Sequence, residues 1–190
     1  MWGESGMDQS IEMVKLDEVK VLRELSITTF RTTFEHGEYT DEDFDAYFDE
    51  AYAEDQLLQE LKDDNSFTYF YKENRDIVGY FKLNINEAQT EPKGDAYLEI
   101  QRIYFLPHAQ GGGRGKQVIE FATAKARELN KKKIWLGVWE HNAQAFNFYK
   151  KQGLSVTGEH QFYTGNVVDT DLIMERDIWP RYVNLTCVTI

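Results

Sequence analysis

The feature that most constrains this chain is a strand, a glycine-rich loop and a helix in direct succession. Tyr97–Phe105 (YLEIQRIYF) has the β-branched and aromatic alternation of a strand and stops near Pro107, which has no N–H for a strand ladder. Gln110–Lys116 (QGGGRGK) then places Gly111, Gly112, Gly113 and Gly115 within a few residues. Lys116–Asn130 reads as an alanine-rich helix with Val118, Ile119, Ala122, Ala126 and Leu129 on one face. Consecutive glycines let main-chain N–H groups approach an anion with no Cβ in the way. A helix N-terminus adds unpaired N–H groups and the positive end of its dipole. Arg114 and Lys116 bring positive charge to the same spot. The segment predicts a cradle for a phosphate or pyrophosphate; a flexible glycine turn is the plain alternative.

Two nucleotide patterns fail on this loop. Aligned on Gly115-Lys116, G-x-x-x-x-G-K-[ST] puts Gln110 at its first glycine and Gln117 at its hydroxyl position. G-x-G-x-x-G puts Lys116 where its last glycine belongs. What remains is Gln110-x-x-Gly113-x-Gly115.

The rest of the chain supplies the frame. Ser10–Val14 reads as a short strand, and Asp17 is placed to cap a helix running to Phe34. Thr40 and Asp43 form a capping-box variant ahead of a helix carrying Phe44, Tyr47 and Phe48, and Glu54–Lys62 is amphipathic. Ser66–Tyr71 and Ile77–Asn84 read as a hairpin. Lys133–Trp139 is a buried-type strand, Lys131–Lys133 reads as a solvated helix end, and Asn142–Gln152 is a helix stopped by Gly153. Leu154–Tyr163 and Val167–Ile178 are two final strands. The order β α α α β β β α β α β β predicts a mixed α/β (α+β) sheet whose last helices are crossovers. Residues 1–9 have no periodicity and read as a frayed start or an expression remnant, with residues 179–190 a C-terminal tail.

Composition sets the outer limits. The chain has 190 residues, 42% hydrophobic and 28% charged, enough for one packed domain. The single cysteine, Cys187, excludes an internal disulfide and a cysteine-rich zinc site. His108, His141 and His160 lack metal-ligand spacing, so no metal is expected. No apolar stretch is long enough to span a membrane and MWGESGMDQS is not built like a secretory signal, so a cytoplasmic protein is expected. Lys and Arg number 21 against 33 Asp and Glu, a net charge of −12. Such a chain makes a poor general nucleic-acid binder and attracts cationic partners, although the same charge also serves solubility.

Gln110-x-x-Gly113-x-Gly115 resembles the pyrophosphate loop of the GNAT superfamily of acetyl-CoA-dependent N-acetyltransferases, R/Q-x-x-G-x-G/A. EIQRIYFLP is similar to that family's central strand. Asn142-x-x-Ala145-x-x-Phe148-Tyr149-x-Lys151-x-Gly153-Leu154 is similar to the helix it uses beyond the next strand. The resemblance covers residues 10–178. More finely, ITTFRTTFEHGEY and YTGNVVDTDLIMERDI resemble the bacterial PaiA-type spermidine/spermine N-acetyltransferases. The implied fold is a single domain with a twisted, mostly antiparallel sheet of six to seven strands and helices on both faces. The implied co-substrate is acetyl-CoA, and the implied reaction is direct attack by a primary amine in a ternary complex.

The same resemblance assigns residues. The pyrophosphate is expected on Gln110–Lys116, and the pantetheine arm along a bulged central strand through the main chain of Ile103, Tyr104 and Phe105. The Ile103 N–H would polarise the thioester oxygen. Tyr149 stands where the family places the acid for the CoA thiolate. Asn142, Phe148 and Lys151 are assigned to the cofactor, although Asn142 also reads as a helix cap and Lys151 as an exposed helix lysine. Glu99 is the candidate base; a solvent-facing or structural carboxylate is the alternative. His36 and Tyr39 are assigned to the acceptor loop. Residues 35–64 hold many carboxylates against Lys62 alone, interleaved with Tyr39, Phe44, Tyr47, Phe48 and Tyr52. That mixture suits a cationic polyamine such as spermidine or spermine, and it equally describes a solvated charged face. Another amine (an aminoglycoside, an amino acid, a protein N-terminus) and a CoA-binding sensor without turnover remain open, as does a homodimer.

Overall fold

A computed structural model of the chain describes residues 8–179. The alternating segments form strands β1 (Gln9–Met13), β2 (Ser66–Glu73), β3 (Asp76–Ile85), β4 (Tyr97–Phe105), β5 (Lys133–Trp139), β6 (Ser155–Thr164) and β7 (Val167–Asp177). Segments with helical periodicity form α1 (Val19–Phe34), α2 (Asp41–Ala51), α3 (Glu54–Lys62), α4 (Arg114–Glu128) and α5 (Ala143–Lys151). The strands make one seven-stranded sheet in the order β1-β2-β3-β4-β5-β7-β6. Among the described residues its only parallel pair is β4 with β5, for which α4 supplies the crossover a parallel neighbour requires. Among the described residues no helix is long and apolar enough to cross a membrane.

Both faces of the sheet are covered. Leu83, Leu98, Ile100, Ile134 and Leu136 face α4 and α5, where they meet Val118, Ile119, Ala122, Ala126 and Tyr149. Phe70 and Tyr80 face α1, α2 and α3 through Leu22, Phe30, Phe44, Phe48, Tyr52 and Leu57. Fully buried Phe30 is the hub of this second layer. Its ring lies 4.4 to 6.4 Å from the rings of Phe34, Phe44, Tyr47, Phe48, Tyr52, Tyr104 and Phe162. Most aromatics of the acidic stretch are therefore core, not an open cation box, because α2 turns them towards α1.

Local details agree or differ for identifiable reasons. The Asp43 N–H donates to Thr40 Oγ1 (3.2 Å) and the Thr40 N–H to Asp43 Oδ2 (3.0 Å), the reciprocal capping pair. Asp17 does not cap α1; it sits inside a 3₁₀ turn, Leu16–Glu18, closed by the Lys15 N–H on the Glu18 carboxylate at 2.9 Å. Lys131 is not solvated. It is buried and its ammonium donates to Asn86 Oδ1 (2.8 Å) and the Asp95 carbonyl (2.9 Å), which pins the β3–β4 connection. β1 begins at Gln9, inside the stretch set aside as a frayed start, and Trp179 donates its indole N–H to the Lys131 carbonyl at 2.9 Å. Residues 1–7 of the expected start and 180–190 of the tail, Cys187 included, lie outside the described residues.

Candidate active site

The site begins where two strands part. Arg102 to Phe105 oppose Lys82 to Gly79, but Leu98 to Ile100 oppose Ile85 to Leu83, so Gln101 is the extra residue of a β-bulge. On its other edge β4 pairs with β5 only through Tyr97–Lys133, Leu98–Ile134 and Glu99–Trp135. Beyond that point β5 stays with β7 as far as Trp139–Asp171. The result is a wedge between β4 and β5. The Leu106 N–H donates to the Val78 carbonyl at 2.9 Å. Ladder alternation then turns the main-chain groups of Tyr104 towards β3, and those of Ile103 and Phe105 towards the wedge. Tyr104 is thus a correction: its main chain belongs to the β3 ladder, and its ring stacks 5.9 Å from that of Tyr80.

The glycine loop closes one end of the wedge. Gly111, Gly112 and Gly113 have φ of +81°, +59° and +82°. Those values cost a residue with a Cβ about 1 kcal/mol or more each. A Cβ at Gly111 or Gly113 would meet nothing within 4 Å, so the loop presents open main chain. Gly113 is the N-cap of α4 and brings no side-chain bond, which leaves the Gly115 and Lys116 N–H groups without helical partners. Gln110 and Lys116 are exposed; the Lys116 ammonium is 3.7 Å from Glu120. Arg114 is not the free cation expected. Its guanidinium grips Glu73 at the end of β2 through two bonds of 2.7 and 2.8 Å. The pair fastens the start of α4 to the sheet, and its two charges cancel locally.

Helix α5 forms the third side. Asn142 Oδ1 accepts the Ala145 N–H at 3.0 Å, a side-chain cap. A Cβ at Gly115 would stand 3.0 Å from Phe148 Cζ, so glycine there lets the two helices approach closely. Tyr149 is 7% exposed and lies in the apolar cluster that Ile103 and Phe105 flank. Burial pushes its phenol well above the ordinary value of 10. A Schellman closure fixes it: the Leu154 N–H donates to the Tyr149 carbonyl (3.1 Å) and the Gly153 N–H to that of Lys150 (3.0 Å), with Gly153 at φ +84°. Lys151 is exposed in the last turn.

On the opposite face the expected base is elsewhere engaged. Glu99 is 2% exposed and accepts from the Thr90 N–H (3.0 Å), the Thr90 hydroxyl and Asn84 Nδ2 (2.9 Å). Burial raises its carboxyl, the direction a base requires. The enclosed carboxylate also anchors the connection after β3 through these bonds. His36 is also corrected: its side chain is 90% exposed, 3.5 Å from Glu35, and no wall is built around it. Tyr39 donates its hydroxyl to Asp169 Oδ2 (2.5 Å), and Trp139 its indole N–H to Asp169 Oδ1 (3.0 Å). This clasp joins the α1–α2 loop to β5 and β7. Sequence reading passed over Gly137, His160 and Asp171, which meet on this face from β5, β6 and β7. Their one local signal is a glycine inside the apolar run KIWLGVW.

Comparison with known proteins agrees with this geometry. A family model described as "Acetyltransferase (GNAT) family" matches residues 22–154. An uncharacterized N-acetyltransferase in the pepI 3′ region of Lactobacillus delbrueckii subsp. lactis is 38% identical over 168 residues, 87% of this chain and 96% of that one. A probable spermine N(1)-acetyltransferase of Bacillus subtilis subsp. natto is 28% identical over 98 residues, 51% of this chain and 64% of that protein. Among solved structures, a PaiA N-acetyltransferase from Thermoplasma acidophilum in complex with coenzyme A superposes with a TM-score of 0.74 at 20% identity, covering 90% of this chain and 99% of that one. A parted parallel strand pair, a glycine-lined helix start and a full-length N-acetyltransferase relative converge: the chain belongs to the GNAT family of acetyltransferases and is an acyltransferase.

Proposed function

We propose that this protein transfers the acetyl group of acetyl-CoA to a primary amine by direct attack in a ternary complex, and that its acceptor is a polyamine of the spermidine or spermine type. The observation that carries the reading is the wedge between β4 and β5, with open glycine main chain at one end and the Tyr149 phenol on its α4–α5 side. The pyrophosphate takes the N–H groups of the Gly111–Lys116 loop. The peptide-like pantetheine arm pairs with the freed edge of β4 at Ile103 and Phe105, as an added strand would. The Ile103 N–H meets the thioester oxygen as charge develops on it; such a donor contributes about 10²- to 10³-fold in rate. The ammonium first gives a proton to solvent; the free amine nitrogen then bonds to the acetyl carbon, the C–S bond breaks, Tyr149 gives its proton to the departing thiolate, and the proton shed by the new amide nitrogen passes through solvent to restore the phenol. The polyamine rests on the net charge of −12 and on the name of the Bacillus relative.

The test is an acceptor panel with acetyl-CoA (spermidine, spermine, n-butylamine and an aminoglycoside), read by thiol release and by mass of the product. Acetylated spermidine or spermine is the expected result; turnover confined to other amines removes the polyamine. Gly113→Glu fills and repels the cradle and is expected to abolish acetyl-CoA binding. Unchanged affinity in that variant ends the pyrophosphate assignment.

A further inference from the structure

Gly137 sits in the middle of β5, an interior strand, between buried Leu136 and Val138, yet it is open to solvent. The layer of α1, α2 and α3 does not reach it. Gly137 therefore leaves β5 open to solvent on the face opposite α4 and α5, on the strand next to β4. Glycine inside a strand weakens it by about 0.5–1 kcal/mol and marks a close approach. The approach here is by side chains: a Cβ at Gly137 would stand 3.1 Å from Asp171 Oδ2 and 3.3 Å from His160 Nε2.

These two residues are fixed from behind. His160 Nδ1 lies 2.8 Å from Glu91 Oε1, on the β3–β4 connection, and Nε2 lies 3.8 Å from Asp171 Oδ2. The three side chains retain only 17 to 32% of their exposure. Other groups facing Asp171 are the Tyr104 phenol of β4 and the Tyr39 phenol, both held neutral by burial and by this negative neighbourhood. Asp171 and Glu91 raise the imidazole above its ordinary value, against the opposing effect of burial. The cluster sets two carboxylates, Glu91 and Asp171, against one imidazole beside solvent-exposed Gly137.

We propose that Asp171 is the carboxylate that receives the ammonium of the acceptor amine over Gly137, with His160 and Glu91 as the residues that position it. The inference rests on the acetyltransferase reading and deepens it, assigning an acceptor-binding group that the exposed His36 does not supply. Gly137 is the opening through which the amine reaches Asp171, whose Oδ2 lies nearest that opening, with the His160 imidazole 3.8 Å away.

The experiment compares steady-state KM values for spermidine and n-butylamine, and for acetyl-CoA, in wild type, Asp171→Asn, Gly137→Ala, His160→Gln and His160→Ala. Asp17→Asn, at an exposed acid in the 3₁₀ turn ahead of α1, carries the same charge change. Asp171→Asn is expected to raise the KM of both amines about tenfold or more, as loss of a charge-assisted bond does. The KM of acetyl-CoA should stay within about twofold. Gly137→Ala should raise amine KM by displacing the pair, and His160→Gln, which keeps a donor, should retain amine KM better than His160→Ala. Asp17→Asn should leave all values unchanged. Equal amine KM in wild type and Asp171→Asn overturns the inference, as does an equal rise in Asp17→Asn. If Asp171→Asn fails to fold, an unchanged amine KM in folded Gly137→Ala overturns it instead. Turnover of n-butylamine but not spermidine removes the polyamine and leaves Asp171 tested; turnover of neither amine ends both readings.

Discussion

In the proposed reaction Tyr149 has to be neutral, fixed and near the thiolate. Burial keeps the phenol protonated beyond the ordinary tyrosine range, so no part of the neutral pH window ionises it. Tyr149→Phe removes only the hydroxyl from an apolar cluster and should leave stability and acetyl-CoA affinity in place. Turnover should fall about 100-fold or more. Full activity in that variant, measured by thiol release, would remove the acid role. Glu99 shows why residue type alone misleads. A glutamate on the central strand has the right chemistry for a base, but Thr90 and Asn84 occupy its carboxylate. Those partners are 9 and 15 residues away in sequence, and nothing local announces them.

At the scale of elements, the closure of α5 couples stability to function. Gly153 holds φ +84°, and the bonds around it, one of them to the Tyr149 carbonyl, set where α5 ends. Gly153→Ala should cost about 1–2 kcal/mol, because an L-residue resists the left-handed region. The added Cβ would also stand 3.3 Å from Arg176 Cδ. Thermal melting should show the loss, and kcat should fall more than acetyl-CoA affinity because the phenol shifts while the cradle does not. Unchanged kcat in a folded variant would detach Tyr149 from its closure. These elements were legible beforehand: the Asn142 cap, the Gly153 stop and the Thr40–Asp43 pair are short-range hydrogen-bond patterns. The bulge at Gln101 was not, since a bulge is a mismatch between two strands and appears only when β3 and β4 pair.

For the whole molecule, a charge of −12 produces a field that attracts a polycation and repels the anionic co-substrate. Its range is about 10 Å at 0.1 M salt and shrinks as salt is added. Raising the ionic strength should therefore raise the KM of spermidine more than that of acetyl-CoA. An equal response of both would count against steering. The order of elements, the glycine loop and its helix, and the tyrosine helix could be read from one dimension, because periodicity, turn chemistry and capping act over a few residues. Folding alone decided that β4 and β5 part after Glu99–Trp135, that Arg114 is held by Glu73, and that Gly137, His160 and Asp171 meet on one face of the sheet. Those facts join residues tens of positions apart, and their energies come from burial and pairing that exist only once the sheet has closed.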